Sequence, residues 1–401
     1  MFDKSVSKAG IAVSIIIPIY NVSKYLRQAL DSCLNQTFQN FEIICVDDCS
    51  TDNSLEILKE YVQKDERIKV VEFKKNRGQG YARNYALYKV ARGECVMFLD
   101  PDDWYEPETL ELAYNQIINN NNDFVIFGYK KFDEQSGEAA EFKRDLLPFE
   151  DVFDETNIKL SDLDVSFIKT CFIWKNIYKR DFLIKNKVHC SEDLRLGEDL
   201  EFFVRAIISS DTVSVLNRYL YNYRNRKDSS SLKIELCRQQ FKSRRRGYRL
   251  IKQYKPVYLN SYVPYLIRCY MHYYKRVAEA QVGFGRYFYT EMRKDFLKLN
   301  NLYDIEKYKD QILYEKFLQI CEKSWNERRN IYFRIPNIIV VKLNKKGHYV
   351  TKLFNKFIIT RNKFNKFKSR MFSVRDTKNG KHKLFKILGI KIKIKKKNNI
   401  N

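Results

Sequence analysis

Cys95-Val96-Met97-Phe98-Leu99-Asp100-Pro101-Asp102-Asp103-Trp104 is a short apolar run that breaks abruptly into acid. The apolar part opens after Gly93, is β-rich and is too short for a helix, which predicts a buried strand over 94–99. Three carboxylates within four residues repel one another at the end of that strand. A cation among them relieves the repulsion, and hard divalent ions prefer oxygen ligands. Pro101 fixes its own φ and turns Asp100 away from the helical region. The run therefore suits a metal site that holds a diphosphate. A polar turn closing a strand would use the same residues, and both readings are open on this stretch alone.

Working back toward the N-terminus, strands and helices alternate. Val13-Ser14-Ile15-Ile16-Ile17, ended by Pro18, reads as a first buried strand. A helix follows from about Ser23, with Tyr25, Leu26, Ala29, Leu30, Cys33 and Leu34 on one face. Phe41 to Val46 is a second strand, ending in Asp47-Asp48-Cys49-Ser50-Thr51-Asp52, where Ser50 or Asp52 can cap the next helix. Ile68 to Phe73 is a third strand, and Asn76-Arg77-Gly78-Gln79-Gly80 a turn before another helix. Beyond the acidic run, a helix over 107–119 opens with Pro107, and Asp123 to Gly128 is a fifth strand. This alternation predicts an α/β fold with right-handed crossovers and a mainly parallel sheet flanked by helices. Ligands of such sheets bind beyond the carboxyl ends of the strands, where these polar loops converge. No P-loop and no G-x-G-x-x-G follows the first strand.

The 401 residues suffice for two domains and a tail. Hydrophobic residues make up 44%, which excludes a disordered composition. No apolar run is long enough to span a bilayer, and Met1 to Gly10 lacks the apolar core of a signal peptide, so a cytoplasmic location is the expectation. Nine cysteines without a CxxC pair fit reduced thiols. The net charge of +25 is concentrated: residues 331–401 hold 21 Lys or Arg against the single acid Asp376. Residues 129–165 are acidic and weakly patterned and read as a surface excursion. Gly197-Glu198-Asp199-Leu200-Glu201 leads into a helix, and residues 232–330 read as several helices rich in Tyr, Arg and Lys.

Five motifs now stand in order: Ile17-Pro18-Ile19-Tyr20-Asn21, Val46 to Asp52, Asn76 to Asn84, Phe98 to Pro107, and Gly197 to Phe202. Together they resemble the family 2 glycosyltransferases of the inverting, bacterial surface-glycan type, over roughly residues 11–231. The resemblance implies a GT-A fold over 1–231, with a nucleotide-sugar half at about 11–128 and an acceptor half at 129–231. A helical domain over 232–330 and the basic tail 331–401 would follow.

It also implies roles. Asp102 matches the metal-binding Asp and Asp100 the one near ribose and metal, with Mn²⁺ or Mg²⁺ as the ion and Asp103 a third participant. Asp48 matches the uracil-binding Asp, and Pro18, Tyr20 and Asn21 border that pocket. Asp199 matches the general base and Glu198 its neighbour at the acceptor or donor sugar. Arg83 is placed near the donor phosphates. Arg224, Arg226, Ser229 and Ser230 resemble a loop that closes over the diphosphate. The expected reaction moves a sugar from a UDP-sugar to a hydroxyl of a glycan or lipid-linked acceptor, such as a lipooligosaccharide. Absence of Q-x-x-R-W fits addition of one or a few sugars.

Plainer readings exist for each part. Glu198-Asp199 would suit any helix N-terminus, Asp47-Asp48 any capping turn, and Arg224 to Ser231 any basic turn. The tail mixes Lys with Ile and Phe, which suits an anionic membrane face and peripheral attachment. It would also suit nucleic acid or a solvated extension. A sugar-phosphate nucleotidyltransferase and a basic nucleic-acid binder are the competing classes. Against the first stands the missing Gly-rich phosphate loop. Against the second, the charge lies away from the motifs.

Overall fold

Val13 to Ile19 (β1), Phe41 to Asp47 (β2) and Cys95 to Phe98 (β4) are buried at every residue, as strands covered by helices on both faces must be. They belong to a computed structural model that describes residues 10–141, 158–159, 172–210, 212–226, 237–280 and 282–322, and seven strand segments between 333 and 395. The chain forms two compact units, Met1–Leu266 and Ile267–Asn401. The first therefore extends beyond residue 231, where the motifs end.

Within the first unit the expected alternation is present. Between the buried strands run α1 (Ser23–Leu34), α2 (Ser54–Lys64), β3 (Ile68–Glu72) and α3 (Gln79–Tyr85), which continues as a π-turn through Val90. After the acidic run come β5 (Trp104–Tyr105), α4 (Thr109–Asn119) and β6 (Phe124–Asp133). The chain then adds β7 (Ala139–Glu141), β8 (Ile158–Lys159), β9 (Asn176–Lys179), α5 (Arg180–Lys185), α6 (Glu198–Ser209), β10 (Thr212–Asn225) and α7 (Cys237–Tyr254).

The sheet runs β3-β2-β1-β4-β9-β6-β10-β5, with β7 on β6 and β8 on β10. β3, β2, β1 and β4 are parallel, as are β6 and β10. The expectation of a mainly parallel sheet needs correcting in its middle. β9 lies antiparallel between β4 and β6, and β5 antiparallel on β10, so the sheet is mixed. No local pattern announces this, because β9 is four residues long and pairs with partners far away in sequence. Thr212–Asn225 runs as one strand, β10, with register shifts between Leu216 and Tyr221.

Pro18 does not end β1. Residues of a parallel strand face alternate neighbours, and Ile16 faces β4, where its carbonyl accepts from Leu99 N. Pro18 falls in the same alternate set. Pairing with β4 stops at Phe98, so its missing N–H costs no ladder bond. Ile15, Ile17, Ile43, Met97, Val125 and Phe127 form one core with Leu26 and Leu30 of α1 and Leu110 and Ile117 of α4.

α8 (Leu259–Ala280) begins in the first unit and passes into the second. There, α9 (Val282–Leu302) meets α10 (Tyr314–Glu322) through Phe296 and Phe317, whose rings lie 4.7 Å apart. The described strands of the basic tail form two antiparallel sheets, of four and three strands. No helix among the described residues is long and apolar enough to cross a membrane.

Candidate active site

The acidic run and the Glu198-Asp199 turn, a hundred residues apart, meet through one side chain. Arg83 of α3 is buried. Its Nη2 donates to Asp100 Oδ1 at 2.6 Å and its Nη1 to Glu198 Oε1 at 2.6 Å. Gln79, one turn earlier on the same helix, donates to the same Glu198 oxygen at 2.7 Å. Burial acts to lower the Arg83 pKa, but Asp100 and Glu198 outweigh it and the net shift is upward. Gly80 makes this approach possible, since a Cβ there would lie 2.6 Å from the Ser191 carbonyl. Asn84 completes the join by exchanging bonds with the backbone of Cys190.

The three carboxylates after β4 have separate surroundings. Asp103 is buried, accepting from Tyr221 OH and Arg224 N at 2.7 Å each. Burial, with Asp102 and Asp100 adding to it, pushes its pKa far up. It braces the turn against β10. Asp102 points elsewhere and meets the Arg226 guanidinium at 2.9 Å. Burial raises its pKa, Arg226 opposes, and Asp100 adds to the rise. Arg224 differs from the expectation of a loop over the diphosphate. It is buried, donating to the Asp102 carbonyl at 2.8 Å and to Gln28 at 2.6 Å, among Tyr25, Trp104 and Phe132. It fixes the acidic turn from behind, while Arg226 meets the Asp102 carboxylate and Arg83 that of Asp100. Ser229 and Ser230 lie outside the described residues.

At the ends of β1 and β2, Asn21 and Cys49 both adopt left-handed backbone, at φ 53° and 67°. Asn21 Oδ1 accepts from Thr51 N at 2.7 Å and its own N–H donates to Ser50 at 3.1 Å, which locks the two loops together. Tyr20 stands beside them, 47% exposed. Asp48 is buried, and its two oxygens accept from Arg77 N and Gly78 N at 2.6 Å each. Its visible work is to hold the 76–78 loop against the corner where Pro18, Tyr20 and Asn21 sit.

Gly197 has φ +81°, and a Cβ there would lie 3.0 Å from Gln240 Oε1. Replacing it with Ala should therefore destabilise the fold by about 1–3 kcal/mol, read as a lowered urea midpoint. The turn aims Asp199 toward the Arg83 hub. Burial raises the Asp199 carboxyl to about 7, with Glu198 adding to the rise, Arg83 opposing it, Asp100 adding and Arg244 opposing. Asp199 is half-buried; Glu198 beside it is fully buried, and its Oε2 has no hydrogen-bond partner among the described residues. Sequence reasoning missed Gln79, Tyr221 and all of α7 as parts of this site. Gln79 lies within the Asn76–Asn84 motif without a role that the motif assigns, and Tyr221 and α7 lie outside every motif; each acts through a contact distant in sequence.

No cluster of three or more His, Cys, Asp or Glu side chains that could hold a metal is present among the described residues. Asp100 and Asp102 remain as a pair of partly exposed oxygen donors. The donor set fits Mg²⁺ or Mn²⁺, because such ions are held by one or two carboxylates, with substrate phosphates and water completing the shell.

Comparison with known proteins fits this geometry. Residues 14–179 match the family described as Glycosyl transferase family 2. Glycosyltransferase GlyG of Streptococcus pneumoniae is 32% identical over 223 residues, covering 54% of this chain and 72% of GlyG. Glycosyltransferase GlyA of the same organism is 34% identical over 222 residues, 55% of this chain but only 31% of GlyA. Among solved structures, S. aureus TarS 1-349 in complex with UDP aligns with a TM-score of 0.54 at 22% identity, covering 86% of this chain and 97% of that one. The chain belongs to glycosyl transferase family 2, and its fold is GT-A.

Proposed function

We propose that this protein transfers a sugar from a UDP-sugar to a hydroxyl of a glycan or lipid-linked acceptor, with inversion in a single displacement. The Arg83 bridge carries this reading, because it joins the donor-side Asp100 and the acceptor-side Glu198 in one site. The UDP held by the structurally similar TarS supports the choice of nucleotide.

The acceptor oxygen forms a bond to the anomeric carbon as the bond from that carbon to the diphosphate breaks. The proton goes to Asp199, and the electron pair leaves with UDP. A group that titrates near 7 is matched to that task. The unpartnered Glu198 oxygen is placed to orient an acceptor or donor-sugar hydroxyl. Asp100 and Asp102 would hold the divalent ion, which supplies Lewis-acid neutralisation of the leaving diphosphate. Pro18, Tyr20 and Asn21 form the nucleotide corner that Asp48 shapes, with Asp48 itself the acceptor for the uracil N3–H. The acceptor is a bacterial surface glycan or its lipid-linked precursor. In this reading the basic tail holds the protein on the anionic cytoplasmic membrane face.

Incubation with UDP-sugars and Mn²⁺ should release UDP. Release of pyrophosphate from UTP would point to a nucleotidyltransferase, and release of neither would overturn the reading. Asp102→Asn is expected to weaken metal-dependent UDP binding about 10- to 100-fold, measured by calorimetry with and without Mn²⁺. In co-sedimentation with phosphatidylserine vesicles, the full chain should pellet and a chain ending near Tyr332 should not. Equal binding would remove the membrane role.

A further inference from the structure

The Asp199 turn is held by a helix that follows the motif-bearing part of the chain. Three backbone groups just before the catalytic pair, Arg195 N, Leu196 N and the Gly197 carbonyl, meet side chains of α7. Gln239 Oε1 accepts from Arg195 N and from Leu196 N, the latter at 3.1 Å. Ser243 Oγ donates to the Gly197 carbonyl at 2.5 Å. Gln240 Oε1 packs on Gly197 and takes a bond from Arg244 Nη1. Ser243, Gln240 and Arg244 are buried. Positions 239, 240, 243 and 244 share one broad helical face.

α7 is fixed in turn. Tyr262 OH donates to the Arg244 carbonyl at 3.0 Å, and Arg244 Nη2 reaches Tyr265 OH at 3.4 Å. Gly247 leaves room for Tyr262, whose hydroxyl would lie 2.3 Å from a Cβ there. On the outer side Arg246 grips both oxygens of Asp193, at 2.6 and 2.8 Å. A polar face this fully engaged with one short turn is more than packing requires. The turn also carries Gly197 at a positive φ, as the 76–78 loop carries Gly78, and such a conformation must be held by its surroundings.

We infer that the face of α7 bearing Gln239, Gln240, Ser243 and Arg244 is a positioning element for the catalytic base. It would fix the Arg195–Gly197 backbone so that Asp199 reaches the acceptor oxygen. The inference rests on Asp199 being that base. These residues touch neither donor nor acceptor; they act through the turn. Charged or titratable groups facing Asp199 are Glu198, Arg83, Asp100, Cys190, Tyr178 and, from α7, Arg244. A small displacement of a base is costly, since reacting atoms must lie within a few ångströms.

The test uses the full chain, Mn²⁺ and UDP-GlcNAc, with water as the acceptor of the sugar and UDP release as the readout. Gln239→Ala and Ser243→Ala should each lower kcat about tenfold, with KM for UDP-GlcNAc within about twofold. Arg244→Gln should do the same and Arg244→Lys should recover most of the loss. Unchanged kcat in the Gln239 and Ser243 variants, alongside an inactive Asp199→Asn, would overturn the α7 role while leaving the base assignment intact. Full turnover by Asp199→Asn would sink both. A readout independent of turnover is amide exchange of the peptide containing Arg195 and Leu196. Gln239→Ala should speed it, and unchanged exchange would overturn the inference.

Discussion

Asp199→Asn should lower turnover by about 10²- to 10⁴-fold, the range over which a positioned general base contributes. The amide keeps the size and polarity of the carboxylate but cannot take the acceptor proton. Donor binding should stay within about twofold, because the proposed role of Asp199 is to take the acceptor proton and not to hold the donor. The wild type should also show a definite pH limb. Burial and Glu198 raise the Asp199 carboxyl to about 7. Below that pH the group is protonated and cannot accept, so kcat should fall as pH drops through 7 and level off above it. UDP release measured across that range checks the shape. A flat profile at reduced rate is expected for the Asn variant, and a wild-type profile without this limb would reject Asp199 as the base.

Arg83→Met is expected to do more damage to the protein itself. Two carboxylates lose their shared counterion at once, and Glu198 is buried on every side. Breaking a buried ion pair by removing one partner costs about 3–5 kcal/mol, read as a lowered urea midpoint at unchanged slope. Turnover should vanish with it, because Asp100 and Glu198 lose their fixed separation. Arg83→Lys should fail to restore activity, since one ammonium cannot span two carboxylates as a planar fork does. Arg83→Met combined with Glu198→Gln should recover part of the stability and none of the turnover, which separates the two roles.

The first four strands and their helices were legible because each is a local pattern. Ile15-Ile16-Ile17 and Val96-Met97-Phe98 advertise burial, and the helix after Ser23 repeats its apolar face at the right spacing. Asp100, Asp102, Glu198 and Asp199 were legible as motif members, and Arg83 connects the two groups as one site. What escaped is whatever depends on distant pairing. The sequence around β9 reads as aromatic and β-rich, but nothing local places that strand antiparallel between β4 and β6. Arg224 carries the same charge as Arg226, and only the fold buries one and turns the other toward Asp102. Gln239 and Ser243 are unremarkable on a polar helix, and their importance lies in the backbone they touch.

The inserted β9 has a consequence for how the chain can be made. β4 has β1 on one side and β9 on the other, and β6 has no place beside β4 without it. A nascent chain that has emerged only through Gly128 therefore carries an unpaired apolar edge at Cys95–Phe98, open to pairing with another copy. Closure waits until Lys179 is available, and the β6–β10 pairing waits longer still. Long-range pairing of this kind is in general slow to form and leaves intermediates prone to association. Residues 10–128 by themselves would leave the β9-facing edge of β4 unpaired.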